Sequence, residues 1–292
     1  MKLVMTLVLR DNADILEANL RYHLARGVDL ILATDNGSSD GTVEILERYR
    51  SRGVAEIWHE HSTDFDQGAW VTRMARHAAT EHGADWVINN DADELWWPKQ
   101  GDLKDVFARI PEPYGRLVVW RTNFVARPED DRHPFERMTL RETRSYNPRG
   151  GRIQPKTAHR GSPEVTVSIG CHDAWAPGLL TVPDADPIHI FHYSFRSFDQ
   201  FEQRIRNAAE IMQNDPESES SATLAWRLGF QHLRDGTLRE FYESKVVDEA
   251  AARSRIAAGE LVLDRRGAIF LGANGLLQPG QAGPVEERSR TL

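Results

Sequence analysis

The first hundred residues alternate short apolar runs with segments of helical periodicity, and this alternation limits the fold more than any other feature of the chain. Leu3 to Leu9 reads as a strand, and Ile15, Leu16, Leu20 and Leu24 then recur at helical spacing until Gly27 supplies a stop. Asp29 to Thr34 is a second strand, followed by the turn-rich Asp35-Asn36-Gly37-Ser38-Ser39-Asp40-Gly41. A helix from Thr42 carries Val43, Ile45, Leu46 and Tyr49 and ends near Gly53, ahead of a strand over Val54 to Trp58. A helix over Gln67 to His82 then precedes the buried-type strand Trp86-Val87-Ile88. Such a succession predicts parallel strands joined by right-handed helical crossovers, with ligands at the carboxyl ends of the strands.

The fourth strand runs into Asp91-Ala92-Asp93-Glu94, which places two carboxylates at a spacing of two and directs both toward one hard cation. Two other D-x-D patterns, Asp64-Phe65-Asp66 and Asp184-Ala185-Asp186, lie in a polar approach to a helix and between prolines, so only the copy at Asp91 ends a strand. A turn or capping pair is the ordinary alternative for Asp91 and Asp93, and the same holds for the polar cluster from Asp35 to Asp40.

Composition narrows the function classes. With 36 Lys+Arg against 44 Asp+Glu the net charge is −8, and no basic block is long enough to follow a phosphate backbone, which argues against nucleic acid. An anionic ligand would instead need local neutralisation by a metal ion and placed Arg or Lys side chains. Cys171 is the only cysteine, so an intrachain disulfide and a cysteine-built zinc site are excluded, and a reducing compartment is compatible. Arg10-Asp11-Asn12 follows the opening apolar run where a cleavage site would need small residues, and no run reaches membrane-spanning length. A cytoplasmic protein without a transmembrane segment is expected.

Beyond residue 110 the pattern becomes α+β. Leu117 to Trp120, Val165 to Ile169 and Ile188 to Tyr193 read as strands between Arg- and Pro-containing loops. From Ser197 the chain turns helical, with Phe198, Phe201, Ile205, Ala208 and Met212 on one face, a break at Asp215-Pro216-Glu217-Ser218, and further helices over Ala222 to Leu233 and Leu238 to Ala258. The polar stretch from Pro279 is expected to be disordered.

Four blocks, in order, resemble the inverting family-2 glycosyltransferases of the GT-A fold, and among them the branch with a D-x-D-E signature. They are Arg10-Asp11-Asn12-Ala13-Asp14-Ile15-Leu16-Glu17, Asp35 to Thr42, Asp85 to Glu94, and His192-Tyr193-Ser194-Phe195-Arg196-Ser197. The resemblance implies an α/β fold with a Rossmann-like mixed sheet flanked by helices, extended here by C-terminal helices. Residues 1–110 would form the nucleotide-sugar half, 111–215 the acceptor half, 216–278 the helical extension and 279–292 a tail. It further implies transfer of a sugar from a nucleotide diphosphate donor, UDP-sugar favoured, to a hydroxyl-bearing acceptor, with Mn²⁺ or Mg²⁺ as cofactor. Asp35 would meet the base, Asp91 the ribose or the metal, and Asp93 the metal that bridges the two phosphates.

Other candidates rest on thinner signals. Arg73 and Arg76 precede the metal strand and are placed to contact phosphates, or else form a solvated helix face. His192 ends a strand within the fourth block and is the candidate metal ligand from the second half, with His172 as its rival. Trp96 could stack on a sugar face or pack in the core. Glu94 is expected to orient its loop. An inverting transfer also needs a general base on the acceptor side, for which Asp173 is the first choice and Glu142 the second. The rival readings are a phosphoryl-transfer hydrolase with Asp91 as nucleophile and a GT-A-like module that binds nucleotide without turnover.

Overall fold

In the computed structural model, the described residues are 1–60, 66–147, 149–183, 186–214 and 221–277. The Asp64-Phe65 and Asp184-Ala185 pairs, the helix break at Asp215 to Ser218 and the tail 279–292 lie outside them. The first half follows the strand–helix alternation: β1 (Leu3–Leu9), α1 (Ala13–Ala25), β2 (Leu30–Asp35), α2 (Thr42–Ser51), β3 (Ala55–His59), α3 (Gln67–Thr80) and β4 (Trp86–Asn90). Next come β5 (Glu94–Pro98), α4 (Leu103–Ala108), β6 (Tyr114–Val119), β7 (Arg121–Asn123), α5 (Pro134–Arg137), β8 (Leu140–Glu142) and β9 (Lys156–Arg160). The rest comprises β10 (Thr166–Val167), β11 (Ala174–Trp175), β12 (Leu180–Thr181), β13 (Ile188–His192), α6 (Phe198–Asn214), α7 (Ser221–Arg234), α8 (Leu238–Glu243), α9 (Glu249–Ala257), β14 (Leu261–Leu263) and α10 (Arg266–Ala273).

A seven-stranded sheet in the order β12-β6-β9-β4-β1-β2-β3 forms the centre. Its β3-β2-β1-β4 portion is parallel, whereas β9 runs antiparallel to both β4 and β6. Alternation within each strand divides the core by face: Leu3, Met5, Leu7, Ile31, Trp86 and Ile88 pack on one side, Val4, Leu32 and Val87 on the other with Val71, Met74 and Ala75 of α3. Both faces are covered, which is why these strands read as near-continuous apolar runs. Gly161, just past β9, passes so close to β4 that a Cβ would stand 1.9 Å from the Ala84 carbonyl oxygen, so no other residue fits there without moving the backbone.

A second sheet, in the order β5-β13-β7, sits at the carboxyl end of β4. The residues from Glu94, expected to be a loop, are its first strand. Their register is decisive for the site, because His192 lies opposite Glu94 on one side and Asn123 on the other.

Two expected elements differ. The strand over Val165 to Ile169 shrinks to Thr166–Val167, since a 3₁₀ turn over Ile169–Cys171 with Gly170 at φ 72° ends it. The helix over Leu238 to Ala258 divides into α8 and α9: the buried Val247 donates its N–H to the Ala126 carbonyl, and Asp248 then caps α9 through the Ala251 N–H at 2.7 Å. The C-terminal segment folds back on the rest, with β14 pairing β8 and Leu271 buried in the main core.

Candidate active site

Three polar segments meet at the carboxyl ends of β1, β2 and β4. The turns after β1 and β2 lock together: Asp40 accepts from the Ala13 N–H at 2.8 Å, the Asn12 N–H donates to the Thr42 hydroxyl at 2.8 Å, and Asp11 accepts from the Ser39 N–H at 2.8 Å. Turn chemistry therefore fixes the loop that carries Asp35. One Asp35 oxygen accepts from the Ser38 N–H at 3.3 Å, while its Oδ1 is buried with no hydrogen-bond partner. A buried carboxylate oxygen of that kind is an acceptor waiting for a donor.

After β4, the carboxylates separate into two environments. Asp91 accepts from the Nζ of Lys156 at 2.5 Å, and that fully buried ammonium also donates to the Gly170 carbonyl and lies 3.8 Å from Glu94. Burial disfavours the charged lysine, yet the charges of Asp91 and Glu94 outweigh it and hold its pKa above the ordinary value. Asp93 faces the second half of the chain: its Oδ2 lies 3.3 Å from Arg204, 3.5 Å from Arg196 and 3.7 Å from His192 Nε2. Burial would raise its pKa, but the surrounding cationic groups hold it well below the usual carboxylate range. Glu94 is the reverse case. Burial pushes it up to about 7 despite Lys156 and a 2.8 Å ion pair with Arg121, and its Oε2 has no hydrogen-bond partner.

His192 is held by a chain of side chains with one consistent reading. Asn123 donates its Nδ2 to Glu142 at 3.1 Å, so its Oδ1 is the atom facing His192 Nδ1 at 2.7 Å, and the imidazole must carry its proton on Nδ1. The ring is neutral, because burial lowers its pKa to about 3 against the pull of Asp93. With the ring neutral, Arg204 and Arg196 are the charges that keep Asp93 ionised. Nε2 is then a lone pair directed at the Asp93 carboxylate, two acceptors 3.7 Å apart. Asp93, Glu94 and His192 have ligand atoms within 4.8 Å of one another, and a cation held by them would relieve that opposition. Two carboxylates and a neutral imidazole, with the imidazole oriented by Asn123, fit Mn²⁺ chemistry.

Several expected residues are placed elsewhere. Trp96 is fully buried and donates its indole N–H to Asn90 Oδ1 at 2.9 Å, so it packs in the core and cannot stack on a sugar. Arg73 pairs with Glu60 at 2.7 Å, and Arg76 donates to the Val165 carbonyl at 2.7 Å; both hold protein groups, and neither is merely solvated. Asp173 is exposed and paired with Arg116 at 2.5 Å. His172 donates its Nδ1–H to the Pro155 carbonyl at 2.8 Å and lies outside the cluster with Asp93. Glu142, by contrast, is joined to His192 through Asn123 and lines a cavity of about 360 Å³ with Ser194, Lys245 and Arg255.

Lys156, Arg121 and Arg204 were invisible to sequence reasoning, since none of them belongs to a recognisable motif. Arg196 lies inside the fourth sequence block and was the one cation that block could have indicated.

The profile of Glycosyl transferase family 2 matches residues 15–167, more than half of the chain. Among solved structures the chain is similar to S. aureus TarS in complex with UDP, at 15% identity over 73% of this chain and 66% of that one, with a TM-score of 0.42. It is also similar to the mannosyltransferase PcManGT from Pyrobaculum calidifontis in complex with GDP-Man and Mn²⁺, at 15% identity over 95% and 81%, TM-score 0.38. A third is glucosyl-3-phosphoglycerate synthase from Mycobacterium tuberculosis in complex with Mn²⁺ and UDP, at 18% identity over 41% and 44%, TM-score 0.30. Comparison with curated proteins found no match. On the family match, together with the mixed α/β sheet flanked by helices, the chain belongs to glycosyl transferase family 2 and is a glycosyltransferase of the GT-A fold.

Proposed function

We propose that the protein transfers a sugar from a nucleotide diphosphate donor, a UDP-sugar first among them, to a hydroxyl-bearing acceptor in a divalent-metal-dependent, inverting reaction. The observation that carries this reading is the pair of facing acceptors, Asp93 Oδ2 and His192 Nε2, beside a third acceptor, the Oε2 of Glu94, which has no hydrogen-bond partner. Asp93, His192 and Glu94 would hold Mn²⁺ or Mg²⁺. When bound, the metal would neutralise the charge that develops on a departing diphosphate. Arg204, whose side chain is 41% exposed, is free to swing from Asp93 toward that diphosphate and add a second positive charge. Asp35 would recognise the base through its unpartnered Oδ1, and Asp91, held in place by Lys156, would meet the ribose.

In this reading Glu142 is the general base. Its carboxylate lines the cavity on the far side of Asn123 and His192, where an acceptor hydroxyl would lie opposite the leaving nucleotide. Lys245 and Arg255 line the same cavity and would favour an acceptor that carries negative charge. Cytoplasmic action, expected for a chain with a single cysteine, is part of the proposal; among the described residues no helix is long and apolar enough to cross a membrane.

The experiment is donor turnover with a panel of nucleotide sugars, with and without Mn²⁺, for the parent and for Glu142→Gln. A base predicts kcat falling on the order of a hundredfold or more with UDP affinity retained. If Glu142 only anchors the His192 ring, metal affinity falls in step with activity, and the assignment fails.

A further inference from the structure

At the outer edge of the main sheet, Glu56 of β3, His77 on the last turn of α3 and His82 just beyond it form a second cluster, separate from the residues assigned to the reaction. The Glu56 carboxylate stands between the two rings, 2.9 Å from His77 Nε2 and 3.0 Å from His82 Nε2, and the two ring centroids are 5.0 Å apart. All three ligand atoms lie within 4.8 Å of one another. Helix geometry produces this arrangement: α3 ends at Thr80, Glu81 donates its N–H to the His77 carbonyl, and the chain then turns so that His82 returns beneath His77.

Hydrogen bonding accounts for only half of the cluster. His77 Nε2 is a good hydrogen-bond partner for Glu56, whereas His82 Nε2 is buried and has no hydrogen-bond partner despite its proximity to the other carboxylate oxygen. His82 Nε2 is thus the ligand atom of the cluster left without a hydrogen bond, and a metal held between the three atoms would take up its lone pair. A tetrahedral zinc ion with bonds of about 2.0–2.2 Å needs its ligand atoms roughly 3.4 Å apart, which here requires the contacts to open by a few tenths of an ångström. The edge of Trp58 against His77, at 5.1 Å between centroids, supports that ring from behind.

We propose that Glu56, His77 and His82 form a binding site for a borderline divalent cation, Zn²⁺ above all, which clamps the end of α3 to β3. Two imidazoles and one carboxylate leave a fourth position for water and prefer such a cation to the hard Mg²⁺. The clamp joins an edge strand to the helix that leads directly into β4, so it stabilises the approach to the donor site and takes no part in transfer.

The test uses the full chain, stripped with a chelator and carrying Asp93→Asn to disable the other cluster. Zn²⁺ is titrated in competition with a chromophoric chelator near neutral pH, and Co²⁺ is added in parallel to read coordination from its visible absorption. One equivalent of Zn²⁺, with an intense tetrahedral Co²⁺ band that Zn²⁺ displaces, is the expected result. His77→Gln, His82→Gln and Glu56→Gln should each weaken Zn²⁺ by at least about tenfold and abolish the band, with the far-ultraviolet circular dichroism unchanged. Failure of the Asp93→Asn protein to bind an equivalent of Zn²⁺, or an unchanged equivalent and band in folded His77→Gln and His82→Gln proteins, would overturn the proposal.

Discussion

Lys156→Met separates the electrostatic account of the site from a purely packing account. The lysine is fully buried, and its ammonium is the nearest positive charge to Asp91 at 2.5 Å while it faces Glu94 at 3.8 Å. Methionine keeps most of the stem and removes only the charge. Removing one partner of a buried ion pair typically costs about 3–5 kcal/mol, because the other charge stays buried and unpaired. Two features here reduce that figure: the Asp91 side chain is 31% exposed, and Arg121 still neutralises Glu94 at 2.8 Å. A loss of about 2–4 kcal/mol is therefore expected at about pH 8, where both carboxylates are ionised. Glu94 has its pKa raised to about 7, so its protonated form is favoured by folding and that contribution is lost as pH rises through 7. At about pH 5.5 Glu94 is already neutral, and the penalty of the substitution should shrink by at least about 1 kcal/mol. Urea unfolding of parent and variant at the two pH values measures this. A loss below about 1 kcal/mol at pH 8, or the same loss at both, would refute the reasoning.

Asp93→Asn should leave the fold intact and abolish metal-dependent donor binding, which calorimetric titration of UDP with and without Mn²⁺ reads directly; an unchanged metal-dependent affinity removes Asp93 from the shell. Asp35→Ala should weaken UDP by about 1–3 kcal/mol, since a polar edge of the base is then left unpaired. Equal UDP affinity in parent and variant would show that the buried Oδ1 serves another purpose. His23 is buried, with its pKa lowered to about 4, so it contributes stability that is present above its unfolded value near 6.5 and is lost as pH falls toward 4. Replacing it with Phe should flatten the acid side of the stability profile by about 2 kcal/mol between pH 7.5 and 5, and an unaltered profile would show that the ring is already charged in the folded state.

The parallel half was legible because its strands are covered on both faces and its loops follow turn chemistry, so β1, β2 and β4 stand out as apolar runs ending in polar clusters. Asp35, Asp91 and Asp93 could be placed from those ends alone. The second half was legible only in part: β6 and β13 stand out as apolar runs, but in β9 Lys156, Thr157 and His159 are all buried, in a strand no apolar pattern announces. Lys156 is tolerated there by Asp91 and Glu94, which lie more than sixty residues away in sequence. Glu94 was read as part of a loop because the strand it begins is defined only by pairing with β13, and that pairing is what sets it opposite His192. Trp96, next to the site in sequence, left sugar stacking and core packing open, and only its partner Asn90 within the core decides for packing. Asp173, the first choice of base in the sequence, has its carboxylate paired with Arg116 of β6, a contact no local pattern announces.

In the proposed function, Asp93, Glu94 and His192 would share one cation beside the donor diphosphate. A crystal structure of the protein with UDP and Mn²⁺, with the manganese located by its anomalous scattering, tests it most directly. One manganese is expected on Asp93 and His192 Nε2, with Glu94 beside it, Arg204 turned toward the diphosphate and Lys156 still on Asp91. Manganese held by other residues, or Asp93 still paired to Arg196 and Arg204 with UDP bound and no metal between Asp93 and His192, would contradict it.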